Sequence, residues 1–162
     1  LQQFQNPSNP RAHYETTGPE IYKDMDGKID YCVLGAGSGG TYTGIMKYLK
    51  EKNPNIIGGL ADPFGSTMGG GEHFDYNIEG IGNDFIPDTM DISLVDRVVK
   101  VSDEQAFETA RELAFKEGIF AGSSSGAALA AAKIIAEETE NSRIVVVLPD
   151  RGDRYFSTGL YK

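Results

Sequence analysis

Two segments rich in glycine and hydroxyl residues carry the types best suited to chemistry in this chain. They are Gly35-Ala36-Gly37-Ser38-Gly39-Gly40-Thr41-Tyr42-Thr43-Gly44 and, much later, Gly122-Ser123-Ser124-Ser125-Gly126-Ala127-Ala128. Each falls where an apolar, strand-like run gives way to a helical one. At such corners backbone N–H groups and a helix dipole converge on an anion or a polar ring. Two corners of this kind point to one ligand held at both ends. In the first, five glycines in ten residues let the backbone approach a ligand without a Cβ in the way, while Ser38 and Thr41 add hydroxyl donors. So many glycines would carry a high entropic cost for a turn alone, and a phosphate suits the donors.

Which phosphate is a separate question. Gly35-x-Gly37-x-x-Gly40 matches the dinucleotide fingerprint, and Asp62 follows a second strand-like run, Ile56 to Leu60, near the spacing of a ribose-binding acid. The Rossmann domain of an oxidoreductase is therefore the alternative. Against it, Pro63 and a glycine-rich stretch from Gly65 to Gly71 occupy the place of the helix that should follow. A P-loop is excluded more firmly, because no lysine occurs between Lys28 and Lys47. The second corner spells Gly122-x-Ser124-x-Gly126, the nucleophile elbow of serine hydrolases, which needs an acid and then a histidine later in the chain. Both histidines, His13 and His73, precede Ser124, so nothing activates the hydroxyl and a ligand-binding or structural serine is expected.

The elements that position these corners alternate along the chain. A short proline-started helix is expected around Pro19 to Met25, then a strand over 29–35, a helix over 40–52 with Ile45, Met46 and Leu49 on one face, and a strand over 56–61. Residues 62–90 form a glycine-rich excursion of the kind that serves active sites. A strand over 97–101 follows, with Lys100 facing outward. Ser102 and Gln105 form a capping box for a helix to about Glu117 that Gly118 stops. The serine corner opens an alanine-rich helix over about 127–138, and Ile144-Val145-Val146-Val147-Leu148 reads as a strand buried on both faces. The order gives an α/β fold, a mostly parallel sheet with helices on both faces. Residues 1–28 would lead into a cofactor-binding α/β domain over 29–162.

Composition narrows the partners. The 162 residues carry 40% hydrophobic content, enough for one core, and a net charge of -9, which argues against nucleic acid or an anionic membrane. The single cysteine, Cys32, sits mid-strand and reads as a small core residue. No disulfide framework, signal peptide or membrane span is visible, so a reducing cytoplasm is expected. Neither histidine has a partner at metal-ligand spacing, and no metal is expected.

Beyond the corners, a longer set of segments resembles one family. Gln3-Phe4-Gln5-Asn6-Pro7-Ser8-Asn9-Pro10, His13 through Ile21, Gly37-Ser38-Gly39-Gly40-Thr41, Glu79 through Pro87, the serine corner and Leu148 through Tyr155 occur in the order of the fold-type II pyridoxal phosphate enzymes. Within these they resemble the cysteine synthase and cystathionine β-synthase family, over essentially the whole chain. The resemblance implies pyridoxal 5'-phosphate as cofactor, its phosphate held by Gly37, Ser38, Gly39, Gly40 and Thr41 and its pyridine nitrogen by Ser124. It implies that Gln3 lies near the substrate carboxylate and that Gly80 and Gly82 line the substrate channel. Asn83, where animal cystathionine β-synthases carry a tyrosine, would with Asp84 meet the amino group of homocysteine. The implied reaction is β-replacement on serine or O-acetylserine by homocysteine or sulfide.

The family's Schiff-base lysine and its loop for the substrate carboxylate belong to an N-terminal half expected to precede Leu1. No lysine of this chain stands in for it, so no catalytic residue is assigned here and the chain alone is expected to be inactive. The implied partners are amino-acid substrates, the missing N-terminal half, a second copy in a homodimer and the tail of a serine acetyltransferase.

Overall fold

The structure, a computed structural model, describes residues 2–162. Helices α1 (Ser8–Glu15) and α2 (Thr17–Asp24) lead into strand β1 (Tyr31–Gly35), helix α3 (Gly40–Lys52) and strand β2 (Ile57–Pro63). After the excursion come β3 (Arg97–Val101), α4 (Asp103–Glu117), α5 (Ser123–Glu137) and β4 (Ile144–Val146), with short 3-10 turns at Ile92–Leu94 and Gly152–Tyr155. The four strands form one parallel sheet in the order β3-β2-β1-β4. This is the α/β architecture expected, with helices on both faces.

The two faces are built differently. On one, α3 presents Tyr42, Ile45, Met46 and Leu49, all with no exposed surface, to Cys32, Leu34 and Leu60 of the sheet. Burying each such side chain is worth about 1.5–3 kcal/mol relative to leaving it in water. Helices α1 and α2 pack over α3 from outside. On the other face α5 lies against Val33 and Ala61, and its alanines 127, 128, 130, 131 and 132 are all buried. Small side chains let this helix sit close to both the sheet and α4. Cys32 is fully buried, and that burial pushes its thiol up to about 12.

Several boundaries agree with the sequence pattern. Helix α3 spans the residues expected of it, and Ser102 accepts from the Gln105 backbone while the Gln105 side chain accepts from Ser102 N–H. Gly118 closes α4 in the left-handed region at φ 69. Other elements differ. Helix α1 has no counterpart in the sequence reading; its Pro10 falls in the first turn, where the missing N–H has no intrahelical duty. Helix α5 begins at Ser123, so the serines form its first turn. Strand β4 is shorter than expected and half-buried, because it pairs with β1 alone and stands at the sheet's edge among the described residues.

Lys100 corrects another expectation. Its ammonium turns inward and donates to Asp62 Oδ2 at 2.5 Å and to the Ser66 carbonyl at 2.7 Å. Asp62 is its register partner on β2 and is 1% exposed. The segment after β2 folds back over this face and covers Asp62, with Gly69 N–H donating to the same Asp62 oxygen at 2.9 Å.

Candidate active site

Strands β2 and β3 lie on one side of β1 and β4 on the other, so the chain reverses its direction of sheet growth at the β1/β4 boundary. Parallel sheets bind ligands at such switch points, beyond the strands' carboxyl ends. A cavity of about 150 Å³ opens there, lined by Gly35 to Gly39, Thr41, Gly80, Ile81, Val147, Pro149 and Gln3. It gathers Gly37, Ser38, Gly39, Thr41, Gly80 and Gln3 of the expected site residues. Gly40, Gly82, Asn83 and Ser124 are not among its lining residues.

The first corner is the N-terminus of α3. Its N-cap, Gly39, has φ 80, and no side chain caps the helix. The backbone N–H groups of a first turn have no intrahelical partner, and of this turn Gly39, Thr41 and Tyr42 line the cavity. The other two long helices are finished differently: α4 has its capping box and α5 a carboxylate described below. Close approach explains the glycines. A Cβ on Gly37 would lie 2.4 Å from the Gly80 carbonyl oxygen, and one on Gly39 would lie 2.4 Å from Met90 Cβ. Gly40 faces away from the cavity, since a Cβ there would meet the Asn9 side chain at 2.0 Å.

Side chains far away in sequence hold this loop. Asn83 Nδ2 donates to the Gly37 carbonyl at 2.5 Å and Thr89 Oγ1 to the Ser38 carbonyl at 2.5 Å. Asn9 Nδ2 donates to Ser38 Oγ and to the Gln3 carbonyl, each at 2.9 Å. His13 lies between two threonines, its Nε2 3.2 Å from Thr41 Oγ1 and its Nδ1 2.9 Å from Thr17 Oγ1. Burial lowers the His13 pKa, which favours the neutral ring for this bridging. None of Asn9, His13 or Thr89 was singled out as a site residue from the sequence. They reveal themselves only through contacts across the fold.

The second corner divides its labour among three serines. Ser123 Oγ accepts from Glu79 N–H at 3.0 Å, and Ser125 Oγ donates to the Asp150 carboxylate. Ser124 Oγ makes no hydrogen bond to the described residues, although Ser124 N–H donates to Asp150 Oδ2 at 3.3 Å. Asp150 closes the α5 N-terminus, accepting also from Ser125 N–H at 3.0 Å and from the Tyr155 hydroxyl at 2.6 Å. Burial, then that bond to Asp150, pushes the Tyr155 phenol up to about 12. The excursion joins both corners: Gly82 N–H donates to the Ala36 carbonyl at 2.8 Å and Glu79 reaches Ser123. Asp62, the acid of the dinucleotide alternative, is held in its pair with Lys100 and does not face this cavity.

The glycine loop at the α3 N-terminus suits an anion, and the free Ser124 hydroxyl suits a neutral polar acceptor. Pyridoxal phosphate offers both, a phosphate for the α3 N-terminus and a pyridine nitrogen for a free hydroxyl. No group of three or more His, Cys, Asp or Glu side chains gathers at metal-binding distance among the described residues.

Comparison with known proteins defines the class. The sequence profile of the family described as "Pyridoxal-phosphate dependent enzyme" matches residues 1–150, and the chain belongs to that family. Its relatives include the O-acetylserine dependent cystathionine β-synthase of Bacillus subtilis, 48% identical over 161 residues covering 99% of this chain and 52% of the relative. Cysteine synthase A of Escherichia coli is 45% identical over 172 residues, covering 99% and 53%. The crystal structure of O-acetylserine dependent cystathionine β-synthase from Helicobacter pylori superposes with a TM-score of 0.94 at 43% identity, over 99% of this chain and 53% of that one. The chain thus spans about half the length of the relatives it matches. The fold-type II resemblance and the cofactor are supported, and the dinucleotide alternative is not. No helix is long and apolar enough to cross a membrane among the described residues.

Proposed function

We propose that this chain is the C-terminal, cofactor-holding portion of an enzyme that replaces the β-substituent of serine or O-acetylserine with homocysteine or sulfide. Two observations support the proposal: the glycine loop before α3 lines the cavity at the switch point, and Ser124 is buried in the first turn of α5 with a hydroxyl that makes no hydrogen bond to the described residues. Pyridoxal phosphate, when bound, supplies the electron sink that lets a β-substituent leave and a thiol add. Gly37 to Thr41 bind its phosphate through backbone amides and the Ser38 and Thr41 hydroxyls. Ser124 donates to its ring nitrogen. A neutral hydroxyl leaves that nitrogen less electron-withdrawing than a carboxylate partner would, which favours elimination and replacement over transamination.

The substrate lies between Gln3 and the Gly80–Gly82 strip, with Ile81 and Val147 keeping water from one side. Asn83 spends its amide N–H on Gly37, which leaves its Oδ1 as the acceptor for the ammonium of homocysteine. The lysine that bonds the cofactor and the loop for the substrate carboxylate come from an N-terminal half, without which this chain is inactive. Residues 1–28 connect that half to the domain over 29–162. A homodimer in the cytoplasm, docking the tail of a serine acetyltransferase, belongs to the same proposal.

Steady-state kinetics of the complete enzyme with serine and with O-acetylserine, each offered homocysteine and sulfide, tests it. Cystathionine formation with at least one donor is expected, with sulfide competing, because a site that hydrogen-bonds a substrate group discriminates against analogues lacking it. Rapid cysteine formation with no cystathionine from either donor would move the assignment to cysteine synthase. No replacement with any pair would overturn the proposal.

A further inference from the structure

The Asn9 side chain fixes a direction that the phosphate loop cannot fix by itself. Its amide group lies 2.9 Å from the Gln3 carbonyl oxygen, and a carbonyl only accepts. The atom facing Gln3 is therefore nitrogen. The same nitrogen lies 2.9 Å from Ser38 Oγ, so its second hydrogen goes to that hydroxyl and Ser38 must accept. Gly40 N–H approaches the same oxygen at 3.4 Å. With both acceptor positions engaged, the one capacity left to Ser38 is its own proton, and Ser38 lines the cavity. A serine hydroxyl rotates freely unless neighbours hold it.

We propose that Asn9 is a positioning residue that makes Ser38 a donor aimed at the cofactor phosphate, and that the same amide places the Gln3 segment beside it. The assignment rests on the proposed cofactor site. His13 does not impose the same direction on Thr41, because a neutral imidazole nitrogen accepts or donates according to its tautomer. An amide held against a carbonyl has no such choice. Asn9 therefore acts on the phosphate and on the substrate side together, without touching either ligand.

The test compares equilibrium affinities of pyridoxal 5'-phosphate and of pyridoxal, which lacks the phosphate, for the complete enzyme and its variants. In Asn9→Asp a carboxylate replaces the donor and draws the Ser38 proton backward. Affinity for pyridoxal phosphate should fall about tenfold or more, the size of one hydrogen bond to a charged group, while affinity for pyridoxal stays as it was. Ser38→Ala should do the same, and the double variant should lose little beyond either single one. Equal losses for both ligands, or none, would overturn the proposal by showing a merely structural role or no role. Additive losses would do so as well, because a carboxylate that repels the phosphate directly acts equally well when Ser38 is absent. If Asn9→Asp does not fold, Asn9→Ala carries the same comparison, with a smaller fall in the ratio expected and an unchanged ratio contradicting the proposal. A parent enzyme that binds both ligands equally would overturn the phosphate site itself.

Discussion

Replacing Gly37 with alanine is expected to weaken pyridoxal phosphate binding by on the order of a hundredfold, about 2.7 kcal/mol. The added Cβ would lie 2.4 Å from the Gly80 carbonyl oxygen. That neighbour is backbone, so no side-chain rotation relieves the clash. The loop and the Gly80–Gly82 strip have to separate, and Gly82 N–H and Asn83 Nδ2 lose their bonds to Ala36 and Gly37. The cavity would open at the place where phosphate and substrate meet. Cofactor titration followed by absorbance measures it, with thermal unfolding as the control for folding. Parental affinity in the variant would mean that the Gly37 loop does not approach the ligand.

Replacing Lys100 with methionine is expected to destabilise the folded chain by about 3 kcal/mol, the usual cost of leaving one charge of a buried pair uncompensated. In a domain of this size that lowers the unfolding midpoint by roughly 6–12 °C. Asp62 is 1% exposed, its Oδ1 already has no hydrogen-bond partner, and its Oδ2 would keep only Gly69 N–H. Adding Asp62→Asn should recover much of the loss, since the double variant buries no charge. Calorimetry on the two variants measures this. A loss below about 1 kcal/mol for Lys100→Met would show that the pair behaves like a surface ion pair.

Lys100 also shows where sequence reasoning stops. Alternation places its side chain opposite Val99 and Val101, which is correct, but the cover on that face is the segment from Ser66 to Gly71, folded back by contacts no local pattern encodes. Helix α3 and the α4 cap were legible because their signals are local: a glycine loop followed by helical spacing, and a serine three residues before a glutamine. The serine corner was legible only as a place where a helix begins, since α5 starts at Ser123 rather than near Ala127. The supports of the two corners were not legible. Asn9 reaches Ser38 across 29 residues, Asp150 reaches Ser125 across 25, and Gly40 is glycine to admit Asn9. Strand β4 misled because apolar composition reports what a strand can bury, whereas its depth depends on how many neighbours it pairs with.

The relation between the two corners is tested most directly by the crystal structure of the complete enzyme with pyridoxal phosphate bound. The predicted result places the phosphate against the α3 N-terminus, accepting from backbone N–H groups between Gly37 and Thr41 and from the Ser38 and Thr41 hydroxyls, with the pyridine nitrogen within hydrogen-bonding distance of Ser124 Oγ. A phosphate bound elsewhere, or a pyridine nitrogen facing any residue but Ser124, would contradict the account.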